Sequence, residues 1–191
     1  MMRGVHHLSC RGRDDRGAAL IELALVVPVM LVLAFGLIGL GLAYKSSSVL
    51  VSSSRSGARL AAAAYAPAVA DNAQRAAMLE NLRVSVERNL DGLPGQAEPR
   101  TLWVFRADSS GEPTGGPGCT SDCIRWTWDE ATGTFGSQTG TWPAPRACGA
   151  VIDSVGVRLT ARHQIDSPVF DGLDIERSTV MRLEPISDQA C

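Results

Sequence analysis

Lysine is nearly missing from this chain: Lys45 is the only one among 191 residues. Beyond it, thirteen arginines stand against seventeen carboxylates, a net charge of −4. A nucleic-acid partner wants a basic face, so this balance argues against one. Histidine is almost as scarce, and only His163 follows the apolar N-terminal segment. No Ser-His-Asp set, phosphate-cradling glycine loop or carboxylate pair at helical spacing accompanies it. The expectation is therefore a protein that is not an enzyme, with no catalytic residue, no cofactor and no metal. Aromatic residues make up 5% of the chain, so Trp103, Phe105, Trp126, Trp128 and Trp142 are expected in a core rather than on an adhesive surface. Charge is absent altogether from Leu23 to Tyr44, 22 residues in a row. A helix of that length extends about 33 Å, enough to cross a bilayer core of about 30 Å.

Five cysteines are present: Cys10, Cys119, Cys123, Cys148 and Cys191. Cys10 precedes the apolar segment, and removal of a leader there would leave an even four, as in an oxidised domain with two disulfides. Cys119-x3-Cys123 has nearly the spacing of a zinc knuckle, but Cys148 and Cys191 supply no second close pair. Active redox pairs are usually Cys-x-x-Cys at a helix start, which this spacing is not. Four cysteines allow three connectivities. The favoured one joins Cys119 to Cys123 across a short step, leaving Cys148 to close a long loop with Cys191 at the C-terminus.

Just before the apolar stretch lies Arg16-Gly17-Ala18-Ala19-Leu20-Ile21-Glu22. An ionisable group at the edge of a membrane-length segment is costly, so Glu22 is a candidate functional residue. Arg3, Arg11, Arg13 and Arg16 precede the segment and Lys45, Arg55 and Arg59 follow it, a weak bias for the N-terminus inside. A plain anchor with Glu22 at the headgroups is one alternative. A cleaved signal peptide ending near Gly41-Leu42-Ala43 is another, although the apolar run exceeds the usual 7–15 residues.

The pattern divides the chain into a polar leader (1–17), a transmembrane and extended helix (18–66) and an α+β domain (67–191). Pro28 falls inside the first helix and removes one backbone donor there. From Lys45 to Ala66 that helix is rich in Ser and Ala, and Val49, Ser53, Ser56 and Leu60 form a narrow, weakly apolar stripe. Pro67 ends it. Asp71 with Gln74 reads as a capping box opening a second, amphipathic helix, with Ala76, Met78, Leu79, Leu82, Val86 and Leu90 on its core face and Asp91-Gly92 as its stop. After Pro99 the period becomes two, which predicts strands at 101–106, 123–128, 134–135, 151–165 and 174–184. Between the first two lies a Gly/Pro-rich loop, 109–122. The fold class is α+β: a long N-terminal membrane helix, a second amphipathic helix and a C-terminal antiparallel sheet.

Basic leader, Gly17, apolar helix and Glu22 five residues on together resemble the processing site of type IV pilin-like proteins. The run Gly17-Ala18-Ala19-Leu20-Ile21-Glu22-Leu23-Ala24-Leu25-Val26-Val27-Pro28 resembles the N-terminus of TadE-like proteins of tight-adherence pilus systems, although Leu23 stands where many members have an aromatic. Gly57-Ala58-Arg59-Leu60-Ala61-Ala62 resembles the stretch they carry just outside the membrane. Ser154-Val155-Gly156-Val157, Ala161-Arg162-His163 and Val180 to Pro185 are more loosely similar to their four-cysteine ectodomains. The resemblance implies a minor pilin or pseudopilin with a pilin-like fold and a single span. Its N-terminus would be cytoplasmic and its C-terminal domain extracytoplasmic. A prepilin peptidase would cleave between Gly17 and Ala18. Its partners would be the membrane, that peptidase, other pilin or pseudopilin subunits and the tight-adherence secretion machinery, in a setting of secretion and cell adhesion. Glu22 would pair with the new amine of Ala18 within or between subunits. The alternative is a membrane-anchored extracytoplasmic binding module with no pilus role.

Overall fold

A computed structural model describes residues 15–65, 72–142, 152–164 and 172–183. The leader up to residue 14, Cys10, Pro67, the capping residue Asp71, Cys148 and Cys191 lie outside the described residues. The described chain forms two compact units, divided between Gly41 and Leu42.

Helix α1 runs Asp15–Ala64 and contains Pro28. Its first unit, up to Gly41, has the length and composition of a membrane span, and every residue from Gly17 to Leu33 is exposed. Leu25 is 70% exposed and Phe35 69%. Full burial of a side chain of this kind is worth about 1.5–3 kcal/mol, so a helix this apolar is stable only in a bilayer or among neighbours.

In the second unit the rest of α1 and helix α2 (Asn72–Leu90) accompany a sheet of five antiparallel strands. These are β1 (Ala97–Ala107), β2 (Cys123–Asp129), β3 (Thr134–Thr139), β4 (Ser154–His163) and β5 (Leu173–Arg182), in the spatial order β3-β2-β1-β4-β5. The architecture is the α+β class read from the sequence.

Alternation sorts the strand residues into two faces. Leu102 and Val104 of β1, Ile124 and Trp126 of β2, and Val155, Val157, Leu159 and Ala161 of β4 are buried in one cluster with Leu50, Ala58 and Ala61 of α1. The same cluster takes Leu79, Leu82, Val86 and Leu90 from α2, with Met78 partly buried at its edge. Ala76, assigned to that face by spacing, is exposed. Trp103, Phe105, Ala107, Cys119 and Cys123 form a second, smaller cluster.

Strand β1 begins earlier than the pattern suggested, because Pro99 masks Ala97 and Glu98. Pro99 pairs with Ala161 of β4, and the register slips before Thr101. Pairing with β2 starts only at Thr101, so the missing N–H of Pro99 falls where no β2 neighbour needs it.

The outer strand β3 is held by α2. Glu87 Oε1 accepts the Phe135 N–H at 2.7 Å, and Arg83 donates to the Phe135 carbonyl at 3.1 Å. Arg83 also pairs with Glu87 and Glu80, and its hydrogen bonds hold the Glu80 carboxyl below the usual carboxylate range.

At the end of α1, Tyr65 stacks on Trp142 with ring centroids 4.1 Å apart, and the Arg75 guanidinium lies 5.7 Å over the phenol ring. The Tyr65 hydroxyl is buried and makes no hydrogen bond among the described residues. Burial pushes its pKa well above 10.0, and the nearby Arg75 charge offsets only part of that. The folded state therefore keeps this proton at pH values where the unfolded chain has lost it. The stability tied to Tyr65 is intact below pH 10 and declines as pH rises beyond it. Tyr65→Phe is expected to change stability by less than about 1 kcal/mol at pH 7, since no hydrogen bond is lost. Above about pH 10 it should be the more stable protein. Urea unfolding at both pH values, followed by tryptophan fluorescence, checks this; an equal alkaline loss in both proteins would refute it.

Candidate functional site

The residues singled out at the N-terminus share the first two turns of α1. The helix begins at Asp15, so the Gly17–Ala18 peptide bond lies within its first turn. A helix leaves its first four N–H groups without intrahelical partners, and Gly costs about 1 kcal/mol relative to Ala in such a backbone. That turn is therefore the part of the helix most easily drawn into an extended form. Nothing lies within 4 Å of the position a Gly17 side chain would take. Ala18 and Glu22 are four residues apart, hence on one face and about 6 Å apart along the axis. Glu22 is exposed.

The second half of α1 meets the sheet through small side chains. Ser46, Leu50, Ser53, Ser54, Gly57, Ala58, Ala61 and Ala64 are its buried positions, with Tyr65 just past its end, repeating at three and four. The stripe expected from apolarity, Val49, Ser53, Ser56 and Leu60, overlaps this face only in part: Ser53 is buried and Val49 packs at its edge, but Leu60 is 37% exposed. The physical reason is closeness. A β-carbon on Gly57 would stand 3.1 Å from Val157 Cγ1 and 3.2 Å from Val86 Cγ2. Size, not hydrophobicity, selects the residues that face such a contact.

Hydroxyls stitch the same seam. Ser54 Oγ lies 2.9 Å from Thr179 Oγ1 of β5, and Ser46 Oγ lies 3.4 Å from Nδ1 of His163. Ser46 also donates to the Leu42 carbonyl at 3.0 Å. His163 is 2% exposed, so it is a polar contact inside the seam. Arg177 of β5 donates from Nε to Ser47 Oγ at 3.0 Å. Spacing of small residues at three and four was the signal that could have found Ser54 and Gly57; nothing in the sequence marked Thr179 as their neighbour.

On the other face of the sheet the chain between β1 and β2 folds over Trp103 and Phe105. Cys119 and Cys123 are bridged, with Cα atoms 5.2 Å apart. By chain entropy, a five-residue loop of this kind gains about 2 kcal/mol. Cys119 and Asp122 both have positive φ, 54° and 51°, a conformation costly for residues other than glycine. Asp122 is held there by its ion pair with Arg106 and by its carbonyl accepting Arg106 N at 2.8 Å. The Asp108 carboxylate accepts Ser110 N, Ser110 Oγ and Glu112 N at 2.7–2.9 Å, and those bonds lower its pKa. Glu112 then pairs with Arg158 of β4, tying the loop across two strands. Arg158 lies 5.4 Å over the Phe105 ring and Arg125 lies 5.4 Å over Trp103. Trp103, Trp126, Trp142 and Phe105 are buried and Trp128 half-buried. Among the described residues no three His, Cys, Asp or Glu side chains gather in a way that could hold a metal ion.

Residues 17–59 match the family model of TadE-like proteins. No curated protein and no solved structure matches the chain. The matched stretch contains Gly17, Ala18, Glu22, the apolar span and the first part of the small-residue seam, including Gly57. The sheet and α2 lie beyond it.

Phe105 lies directly opposite Gly156 in the β1–β4 register, and any β-carbon at 156 would overlap its ring. Gly156→Ala is therefore expected to cost about 1–3 kcal/mol in stability. In a Phe105→Leu background the same change should cost less, because the overlapping ring is gone. A double-mutant cycle from denaturant unfolding measures the coupling, and purely additive effects would refute the contact as the cause.

Proposed function

We propose that this chain is a minor pilin or pseudopilin of a tight-adherence type IV pilus assembly system. On this reading it has a cytoplasmic leader, one membrane span and an extracytoplasmic α+β domain. A prepilin peptidase cuts after Gly17, and the mature protein works by assembly with other pilin-like subunits and the secretion machinery, without catalysis. One observation carries the reading: the TadE-like match begins at Gly17 and covers the apolar helix with Glu22 at its head. The Cys119–Cys123 bridge supports the extracytoplasmic side, since such bonds persist in oxidising compartments.

The chemistry follows from the helix. Gly17 offers a small residue at the scissile bond, in a turn with few hydrogen bonds to break. Cleavage creates an ammonium on Ala18, on the same face as the Glu22 carboxylate. A single charge at the apolar edge is costly, and a pair reduces that cost. Pairing between neighbouring subunits fixes their axial register, the best-attested use of such charge pairs.

Two outcomes are expected. The mature protein begins at Ala18 by N-terminal sequencing and intact mass, and Gly17→Leu retains the leader. A mature protein starting at Met1 or Lys45 would remove the pilin-like reading. Glu22→Ala inserts into membranes as well as the wild type, because it removes a charge from the apolar edge, but the yield of assembled pili falls on the order of tenfold. Normal piliation by Glu22→Ala, counted by electron microscopy, would reduce Glu22 to an interfacial charge.

A further inference from the structure

Beyond the apolar segment, the solvent side of α1 has a character that the seam does not explain. From Leu42 to Ala64 the helix contains Lys45, Arg55 and Arg59 and no carboxylate. Ser48, Ser52, Arg55 and Arg59 follow one another at spacings of four, three and four. All four are exposed, and they form one stripe opposite the buried Leu50, Gly57 and Ala61. Arg55 and Arg59 make no ion pair or hydrogen bond among the described residues. By contrast, Arg83, Arg100, Arg106, Arg158 and Arg162 each meet a carboxylate of their own chain.

The elements beside the stripe do not answer its charge. The β5 residues that turn toward the helix are Ile175, Arg177, Thr179 and Met181, none of them acidic. On the other flank Gly92 lies against Val49, and Asp91 beside it forms no ion pair among the described residues. Two like charges four residues apart on a helix surface repel one another. The helix dipole does not offset this, because it acts within the last turn, and the last turn of α1 holds no cation. The rest of the domain has the opposite sign. Residues 66–191 hold eleven arginines against seventeen carboxylates, a net charge of −6. Asp91, Asp108 and Asp129 are exposed and pair with no cation among the described residues. Backbone N–H groups hold the carboxylates of Asp108 and Asp129, so those charges are fixed in place.

We infer that this stripe of α1 docks on carboxylates of a second copy of the chain. Each copy gives a cationic helix face and receives one on its acidic surface, a head-to-tail contact that can pass from copy to copy. Ser48 and Ser52 are short, so the two guanidiniums stand clear of the helix surface, and their planar forks suit carboxylates. Every residue in the contact belongs to the second unit. The inference deepens the pilin-like reading and rests on it for the presence of neighbouring copies.

The scarcity of lysine makes the contact testable. Lys45→Arg with Arg59→Lys leaves the chain with one lysine, on the stripe. Full-length protein with both changes, half of it isotope-labelled, is mixed in detergent micelles at low ionic strength. A carbodiimide then joins lysine amines to carboxylates that touch them. Peptides linking the introduced lysine to Asp91, Asp108 or Asp129 of the other isotope are expected. Their yield should fall roughly fivefold or more in high salt, or when Arg55→Glu is added. Arg88→Lys in place of Arg59→Lys puts the lysine at an exposed position of α2 and should link between copies only at background. Links confined to one isotope, or equal inter-copy yields from positions 59 and 88, overturn the docking face. With a mature N-terminus at Ala18, that result leaves the pilin-like reading standing. Inter-copy links in a protein that cells never trim at Gly17 would remove that reading and keep the contact.

Discussion

The near-contact between Gly57 of α1, Val157 of β4 and Val86 of α2 is the constraint on which the second unit depends. Helix, sheet and second helix meet at one point where a single β-carbon would already be crowded. That closeness explains why the seam is built from Ser, Ala and Gly, and why its large members, Leu50 and Tyr65, stand away from the contact point. It also explains the hydroxyl pairing. Of the buried serines, Ser54 pairs with Thr179 and Ser46 with His163, whereas Ser53 Oγ has no partner among the described residues. The large apolar groups of the core come instead from α2 and the strands.

Much of this was legible in the sequence. The four-residue repeat of α2 and the alternation in β2 and β4 each read correctly, because each buries one face of a regular element, and the 22-residue uncharged run read correctly by its length and lack of charge alone. The seam did not read correctly. Apolarity was the wrong measure for a surface selected by size, and it turned the face away from Leu50, Gly57 and Ala61. Pro99 hid the start of β1, since a proline within a central strand is unusual and is tolerated here only because β2 pairing begins after it. The loop over Trp103 and Phe105 was read only in part: its Gly/Pro-rich span and the Cys119–Cys123 bridge were expected, its path was not. Its shape depends also on two left-handed residues and on ion pairs to β1 and β4, which no spacing in the sequence marks.

For the candidate site, the sequence supplied the residues and their spacing, and the fold supplied their setting. Gly17 and Ala18 lie in a helical first turn and not in a preceding extended segment. Glu22 shares a face with Ala18. His163, isolated in sequence among strand residues, is one side of a polar contact that also helps fix where β4 and β5 end against the helix.

The hold of α2 on β3 has a consequence for what happens when two copies of this chain meet. An outer strand offers its free N–H and C=O groups to any passing strand, and crowding raises the chance of such capture. Glu87 and Arg83 occupy both groups of Phe135, near the start of the unit's shortest strand. Two side chains of the same chain thus withdraw that pair of groups from strand addition.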